Sequence, residues 1–257
     1  MTEITTVTFD LWQTLLLDER DLGQARAMVR IEGAKSALSK FGEEFDLAHI
    51  SEAYMSCFQQ CREVRNSGLD VNFREQVDLF VDHIKPGLTK RLDGATMDAI
   101  AKYYADSFLV HPPPAHEDAV HVLQSIKDMG LTMGLISNTG MTPGFTFRSY
   151  LEERGMLEYF HTLTFSDEVK LAKPATEIFT MTLEAMGVRP EQTIHVGDHV
   201  INDVLGAKRC GMKTVWISGF YDREDPDDPE TEPDITVDTL GAVVPAVAKL
   251  AANGSNS

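Results

Sequence analysis

Cysteine is scarce in this sequence, with three residues in 257. So small and odd a number cannot build the disulfide framework that staples a small secreted domain, and the expectation is a reducing, cytoplasmic setting. Long apolar runs are missing too, and none approaches the roughly 20 residues needed to span a bilayer. Met1–Phe9 has neither a basic stretch nor a long apolar core, so no secretory signal is expected. Positive charge is in short supply: 23 Lys and Arg stand against 40 Asp and Glu, a formal net charge of -17. Such a surface repels nucleic-acid backbones and anionic headgroups, which argues against nucleic acid and membrane as partners. Much of the acid sits in Asp222–Asp234 with three prolines, read here as a solvated loop. A calcium site there lacks the glycine and the regular ligand spacing such loops need.

What is present is a rhythm. Six short apolar runs read as strands: Ile4–Phe9, Leu131–Ile136, His161–Phe165, Thr193–Val196, Thr214–Ile217 and Asp234–Val237. Between the later ones, apolar residues recur at helical spacing. Ala119, Leu123, Ile126 and Met129 precede Gly130; Ile178, Phe179, Leu183 and Met186 precede Gly187; a shorter helix over Val200–Cys210 precedes Gly211. Strand, helix, strand at this interval predicts an α/β fold, a Rossmann-like doubly wound parallel sheet. The alternation fails between Leu17 and His111, where four amphipathic helices are expected at about 20–41, 46–66, 71–84 and 93–109 before Pro112-Pro113-Pro114. The expected organisation is a core of residues 1–16 and 112–250, an all-helical cap over 17–111, and a flexible tail from 251 to 257. Open sheets bind ligands at the carboxyl ends of their strands, where an insert after the first strand would lie.

Those strand ends carry polar groups that packing does not explain. Asp10 ends the first strand within Thr8-Phe9-Asp10-Leu11-Trp12-Gln13-Thr14. Ser137-Asn138-Thr139 ends the second, and Lys173-Pro174 follows the third and opens a helix. Gly197-Asp198 ends the fourth, with Asp203 five residues on. Adjacent parallel strands would gather a carboxylate, a hydroxyl, an ammonium and a carboxylate pair around one point. A carboxylate nucleophile attacking phosphorus divides one hard hydrolysis into two easier steps, with the remaining groups binding phosphoryl oxygens or a cation.

In order, spacing and strand context these segments resemble the four sequence motifs of the haloacid dehalogenase superfamily, and the helical insert resembles its type 1 cap. The resemblance covers about residues 4–240 and implies a magnesium-dependent hydrolase of a small phosphorylated metabolite, monomeric or homodimeric. It implies Asp10 as covalent nucleophile, and Asp10, Asp198 and the Trp12 backbone carbonyl as ligands of Mg2+. Ser137 and Lys173 would act on the transferring group, and Asp203 would hold Lys173 or a metal-bound water. Trp12, Thr14, Asn138 and His199 would line or support the substrate. Lys170 competes with Lys173, but the Lys-Pro step and the following Ile178-Phe179 favour Lys173.

One position departs from the family pattern. Phosphatases of this type carry a second Asp two residues after the nucleophile, as general acid and base, and here that residue is Trp12. Indole has no useful acid–base range, and such catalysis is typically worth about 10²–10⁴-fold. His199 is one candidate to replace it. An aromatic residue here also occurs in the 2-haloacid dehalogenases of the superfamily, whose nucleophile attacks carbon without a metal. That alternative fits Trp12 and the available Arg20, Arg26 and Arg30, but not the retained Asp198 and Asp203. A weakly catalytic binding protein is the remaining alternative. Cys57 and Cys61, and Tyr103, Tyr104 and Phe108, read as packing inside the helical segment. His111, His116 and His121, spaced by five, share no helical face for a zinc site. Gly140-Met141-Thr142-Pro143-Gly144 reads as a mobile loop beside the pocket.

Overall fold

The computed structural model describes residues 3–219 and 228–255. Among the described residues six strands form one sheet: β1 (Thr6–Phe9), β2 (Thr132–Ser137), β3 (Thr162–Phe165), β4 (Thr193–Gly197), β5 (Lys213–Ile217) and β6 (Ile235–Val237). Each lies within two residues of its expected position. The order is β3-β2-β1-β4-β5-β6 and every pairing is parallel. β1 and β4 are buried throughout, as strands covered on both faces must be. The chain steps outward from β1 to β3, then returns to the other side of β1 for β4. That reversal opens a crevice beyond the carboxyl ends of β1 and β4.

Four long helices fill the interval between β1 and β2: α1 (Arg20–Phe41), α2 (Leu47–Asn66), α3 (Phe73–Ile84) and α4 (Gly94–Val110). Their ends have chemical causes. Asn72 and Glu75 exchange side-chain and backbone bonds at the start of α3, Asp93 accepts from the Thr96 N–H at the start of α4, and left-handed Gly42 closes α1. These helices bury an apolar cluster of their own, including Ile50, Cys57, Phe80, Ile100 and Tyr104. Cys57 and Cys61 are free thiols inside it. Two of the aromatic residues expected there behave differently. Tyr103 is 39% exposed, because it lies one residue off the buried stripe of α4. Phe108 joins the sheet's cluster instead, since the last turn of α4 reaches past the bundle and packs on Phe147 and Tyr150.

The remaining helices cover the sheet. α5 (Ala119–Asp128), α6 (Gly144–Glu153) and the C-terminal helix pack with Phe9, Leu135 and Val196. The short α7 (Ser166–Val169) follows β3, while α8 (Thr176–Met186) and α9 (Gly206–Arg209) pack together through Phe179 and Ala207 on a separate cluster. α9 continues a wider, π-helical winding over Val200–Leu205 where one plain helix was expected. Pro174 does not open α8: it follows a cis bond to Lys173 and lies ahead of the helix, which begins at Thr176. The C-terminal helix, α10 (Val243–Ser255), runs past residue 250 into the expected tail, with Leu250 and Ala251 packed on the core; residues 256–257 lie outside the described residues. Of the acidic stretch, 222–227 also lie outside the described residues. Beyond them Asp228 caps a 3-10 turn at Pro229–Thr231, and Asp234 is held by Lys213 and Thr214 rather than solvated freely.

A short ladder ties the helical segment to the loop before Lys173. The Asp70 N–H donates to the Lys170 carbonyl at 3.1 Å, and the Ala172 N–H donates to the Gly68 carbonyl at 2.9 Å. Ser166 Oγ donates to the buried Asp70 carboxylate at 2.5 Å, and Arg65 pairs with the same carboxylate at 3.1 Å. The tip of β4 is equally constrained, because a Cβ at Gly197 would fall inside the Asp203 carboxyl group. Gly197→Ala is therefore expected to destabilise the fold by about 1–3 kcal/mol, the usual cost of overpacking a tight site. Urea unfolding measures it, and a wild-type midpoint would mean that the close approach of Gly197 and Asp203 is not enforced.

Candidate active site

The crevice between β1 and β4 ends in a cavity of about 200 Å³. Asp10, Trp12, Asn138, Lys173, Asp198, His199 and Asp203 line it, together with Gln13 and Asn202. Thr14 and Ser137 are fully buried beside it and do not reach its wall. Seven of the nine sequence-predicted site residues thus meet at one point, brought there from four strand ends.

Lys173 organises that point. Its ammonium is buried and donates to Asp10 Oδ1 and to Asp203 Oδ1, each at 2.6 Å. Lys170, the competing lysine, is exposed and pairs with Glu75. Asn138 fixes the Lys173 backbone: its amide N–H donates to the Lys173 carbonyl at 2.9 Å and its oxygen accepts the Lys173 N–H at 2.8 Å. Both ends of that side chain are occupied, so Asn138 positions Lys173 where a substrate contact was expected. Gln13 does similar service in the loop after β1. It adopts a left-handed backbone (φ 53) that non-glycine residues rarely take, and its side chain makes two bonds to the Asp18 backbone.

Asp203 is saturated by protein donors. Beyond Lys173 it accepts the His199 backbone N–H at 2.9 Å, and His195 Nε2 lies 3.2 Å away. With the proton on Nε2, His195 donates to Asp203 and accepts at Nδ1 from Thr8 Oγ1 at 2.8 Å. His195 is absent from the residues expected at the site, although a histidine within Thr193-Ile194-His195-Val196 implies a polar partner across the sheet. The register supplies Thr8 on β1 as that partner. His199 caps the winding after β4, its Nδ1 accepting from the Ile201 and Asn202 N–H groups.

The acidic groups are strongly perturbed. Asp10, Asp198 and Asp203 offer oxygens within 4.8 Å of one another, and among the described residues no other such cluster occurs. Burial pushes the Asp10 carboxyl up to about 6 against the opposing pull of Lys173. Burial, reinforced by Asp10 and Asp203, pushes Asp198 up to about 9. Burial also opposes ionisation of Asp203, but Lys173 and His195 overcome it and hold that carboxyl below the usual carboxylate range. Burial depresses the His195 imidazole, which favours its neutral form. Lys173 is raised despite burial because two carboxylates face it.

Buried polar atoms without a partner mark what the protein leaves for something else. Among the described residues they are Asp198 Oδ2, Ser137 Oγ, Thr14 Oγ1 and Asp18 Oδ1, and the first three belong to sequence-predicted site residues. An unpaired carboxylate oxygen on Asp198, close to Asp10, suits a hard divalent cation with oxygen ligands. Asp203, already committed to Lys173 and His195, is the poorer ligand of the three.

Trp12 also lines the cavity. Its indole meets Phe108 and Phe147 edge-on at 5.8 and 5.3 Å, and the Arg26 guanidinium lies 5.8 Å from its ring. The loop expected to be mobile is pinned instead. Arg65 donates to the Gly140 carbonyl, Arg30 donates to Thr142, and Asp167 accepts from the Gly144 N–H.

A sequence model of haloacid dehalogenase-like hydrolases matches residues 4–211. The chain is 28% identical over 251 residues to a glyceraldehyde 3-phosphate phosphatase of Methanopyrus kandleri, covering 96% of this chain and 99% of that one. It is 30% identical over 203 residues to the protein of the same name from Methanocaldococcus jannaschii, covering 72% and 85%. Among solved structures it resembles a HAD phosphatase from Thermococcus onnurineus (TM-score 0.64, 22% identity, 95% and 98% covered). It also resembles a 2-haloacid dehalogenase from Pseudomonas syringae (TM-score 0.67, 19% identity, 96% and 99% covered). At these identities the two structures speak for the fold alone. With the sheet, the helical insert and the gathered strand ends already in place, the match across residues 4–211 identifies the chain as a member of the haloacid dehalogenase-like hydrolases.

Proposed function

We propose that this hydrolase is a magnesium-dependent phosphatase of a small phosphorylated metabolite, with residues 17–111 as its cap and an aspartyl-phosphate at Asp10 as its intermediate. The observation that carries the reading is the buried cluster of Asp10, Asp198 and Asp203 around the Lys173 ammonium. An enzyme attacking carbon without a metal has no use for the partnerless oxygen of Asp198.

Magnesium held by Asp10, Asp198 and the Trp12 backbone carbonyl would supply charge that offsets repulsion between the nucleophile and the phosphoryl oxygens. Asp10 attacks phosphorus, the bond to the leaving oxygen breaks, and that oxygen departs with the electron pair. Lys173, fixed by Asp203 and Asn138, steadies the attacking carboxylate and the equatorial oxygens. Water then attacks the acyl-phosphate at phosphorus, returning the Asp10 carboxylate and releasing phosphate. Trp12 neither protonates the leaving oxygen nor activates this water, so both protons are exchanged with solvent or a neighbour.

Three outcomes follow. Asp10→Asn keeps size and shape, and is expected to give a folded protein whose phosphate release, assayed with and without magnesium, falls below a few per cent of wild type. Higher turnover, or metal-independent halide release from 2-haloacids, would contradict the reading.

Cation binding should release protons. Without it the folded protein holds protons on Asp198 up to about pH 9, more than the unfolded chain with its ordinary carboxylates, so its stability falls as pH rises toward 9. At pH 7, calorimetry in buffers of different ionisation heat should register the loss of about one proton on magnesium binding, with affinity weakening at lower pH. Heats independent of the buffer would place the cation elsewhere.

Without a general acid, aryl phosphates should be cleaved far faster than alkyl phosphates. Trp12→Asp should raise kcat/KM on alkyl esters by up to about 10²–10⁴-fold, less whatever is lost by opening the aromatic contact with Phe108 and Phe147. Equal treatment of both ester classes by wild type would mean that another group supplies the proton.

A further inference from the structure

Beside the acidic cavity lies a larger cleft of about 500 Å³ between the helical segment and the loop after β2, and Trp12 lines both. Its walls include the apolar Met55, Phe58 and Met141. Three arginines also face it, which is unexpected in a chain of net charge -17. Arg26 is accounted for, since it pairs with Asp18 at 2.5 Å. Arg20 is exposed to solvent.

Arg30 is different. It is 4% exposed, and among the described residues no carboxylate pairs with it. Its bonds go to neutral acceptors: Nε to the Tyr104 carbonyl at 3.2 Å, Nη1 to Tyr54 Oη at 2.7 Å and Nη2 to Thr142 Oγ1 at 3.2 Å. The Tyr104 and Tyr54 rings lie 4.8 and 6.0 Å from the guanidinium carbon. Neutral partners satisfy N–H groups but leave the charge itself uncompensated, and a buried charge is costly unless an opposite one meets it. The two hydroxyls carry the argument further. Tyr54 and Thr142 are both buried, and each gives an oxygen to Arg30. Neither donates its own proton to any described residue, so both O–H groups are left to donate elsewhere. A cation and two such donors on one wall, with no anion of the protein among them, is the donor set of an anion site.

The geometry points to Arg30, Tyr54 and Thr142 as a second anion site, which selects phosphate esters whose leaving alcohol ends in another anionic group, a carboxylate or a second phosphate. This deepens the phosphatase reading and rests on it. The ester would lie past Trp12 with its reacting phosphoryl group at Asp10 and its far end on Arg30.

Three esters of one chain length test it: β-phosphooxypropionate, its primary amide and propanediol bisphosphate, with magnesium present. Wild type is expected to favour at least one charged ester over the amide in kcat/KM by about 10- to 100-fold, the range of a charge-assisted hydrogen bond. Preference for the carboxylate or for the bisphosphate names the anion. Arg30→Gln should abolish that ratio. Tyr54→Phe and Thr142→Val, which keep the packing, should each narrow it, and thermal melting checks that each variant folds. An amide cleaved as well as the charged esters, or a ratio unchanged in the variants, overturns the proposal. If wild type cleaves none of these alkyl esters, magnesium-dependent hydrolysis of an aryl phosphate decides the phosphatase reading, and the anion site is judged separately by calorimetry with β-hydroxypropionate and its amide. Carboxylate-selective binding lost in Arg30→Gln then sustains the site, and equal or absent binding overturns it.

Discussion

A lysine ammonium taken out of water loses several kcal/mol of hydration, and only opposite charge held at contact distance returns it. Lys173 is nearly fully buried and meets Asp10 and Asp203 at 2.6 Å each. That contact joins three distant parts of the chain: the end of β1, the loop after β3 and the winding after β4. Other features serve to keep it in register. Asn138 clamps the Lys173 backbone, and His195 and the His199 N–H hold Asp203 from the far side. Gly197 leaves out the side chain that would displace Asp203. The ladder of residues 68–70 against 170–172 ties the helical segment to the same loop. Burial first, and then the negative charges of Asp10 and Asp203, push the Asp198 carboxyl up to about 9, and Lys173, already engaged by the other two acids, only partly offsets them.

The fold was legible because its signals are local. Strand ends at Phe9, Ser137, Phe165 and Gly197 follow from short apolar runs cut off by polar residues. The four helices after β1 follow from periodicity, with glycine and Asx residues at their ends. Asp10, Lys173, Asp198 and Asp203 were legible because polar groups at the tips of buried strands have no packing reason to be there. What escaped depends on contacts between remote positions. Nothing near Asn138 says that both ends of its amide reach the Lys173 backbone. Phe108 reads as one more residue on a helical stripe until the length of α4 carries it onto the sheet. The loop Gly140–Gly144 has the composition of a free turn, yet Arg65 and Arg30, from α2 and α1, pin it. His195 was the nearest miss, since its partner Thr8 lies directly opposite in the sheet register.

Trp12 serves packing and chemistry in opposite ways. Its indole closes an aromatic contact with Phe108 from the helical segment and Phe147 from the sheet domain, beneath the Arg26 guanidinium. A carboxylate at this place would be surrounded by rings and would leave the joint between the two parts poorly filled. The same indole stands between the acidic cavity and the arginine-lined cleft, where it can shape a substrate but cannot move a proton. On the proposed reading catalysis rests on positioning and charge, which suits a site whose polar groups are already fixed by one another.

If Asp10 attacks phosphorus, water must later attack the same atom of the aspartyl-phosphate. Turnover in heavy-oxygen water, quenched in acid and followed by mass analysis of the released phosphate and of the peptide containing Asp10, tests both steps directly. The expected result is a phosphoryl group on the quenched Asp10 peptide, with the label in inorganic phosphate and none in the Asp10 carboxylate, because the bond that breaks in the second step joins phosphorus to the aspartyl oxygen. Label accumulating in Asp10 itself would mean that water attacks the carboxyl carbon of an ester intermediate, as after displacement at carbon, and would contradict the account.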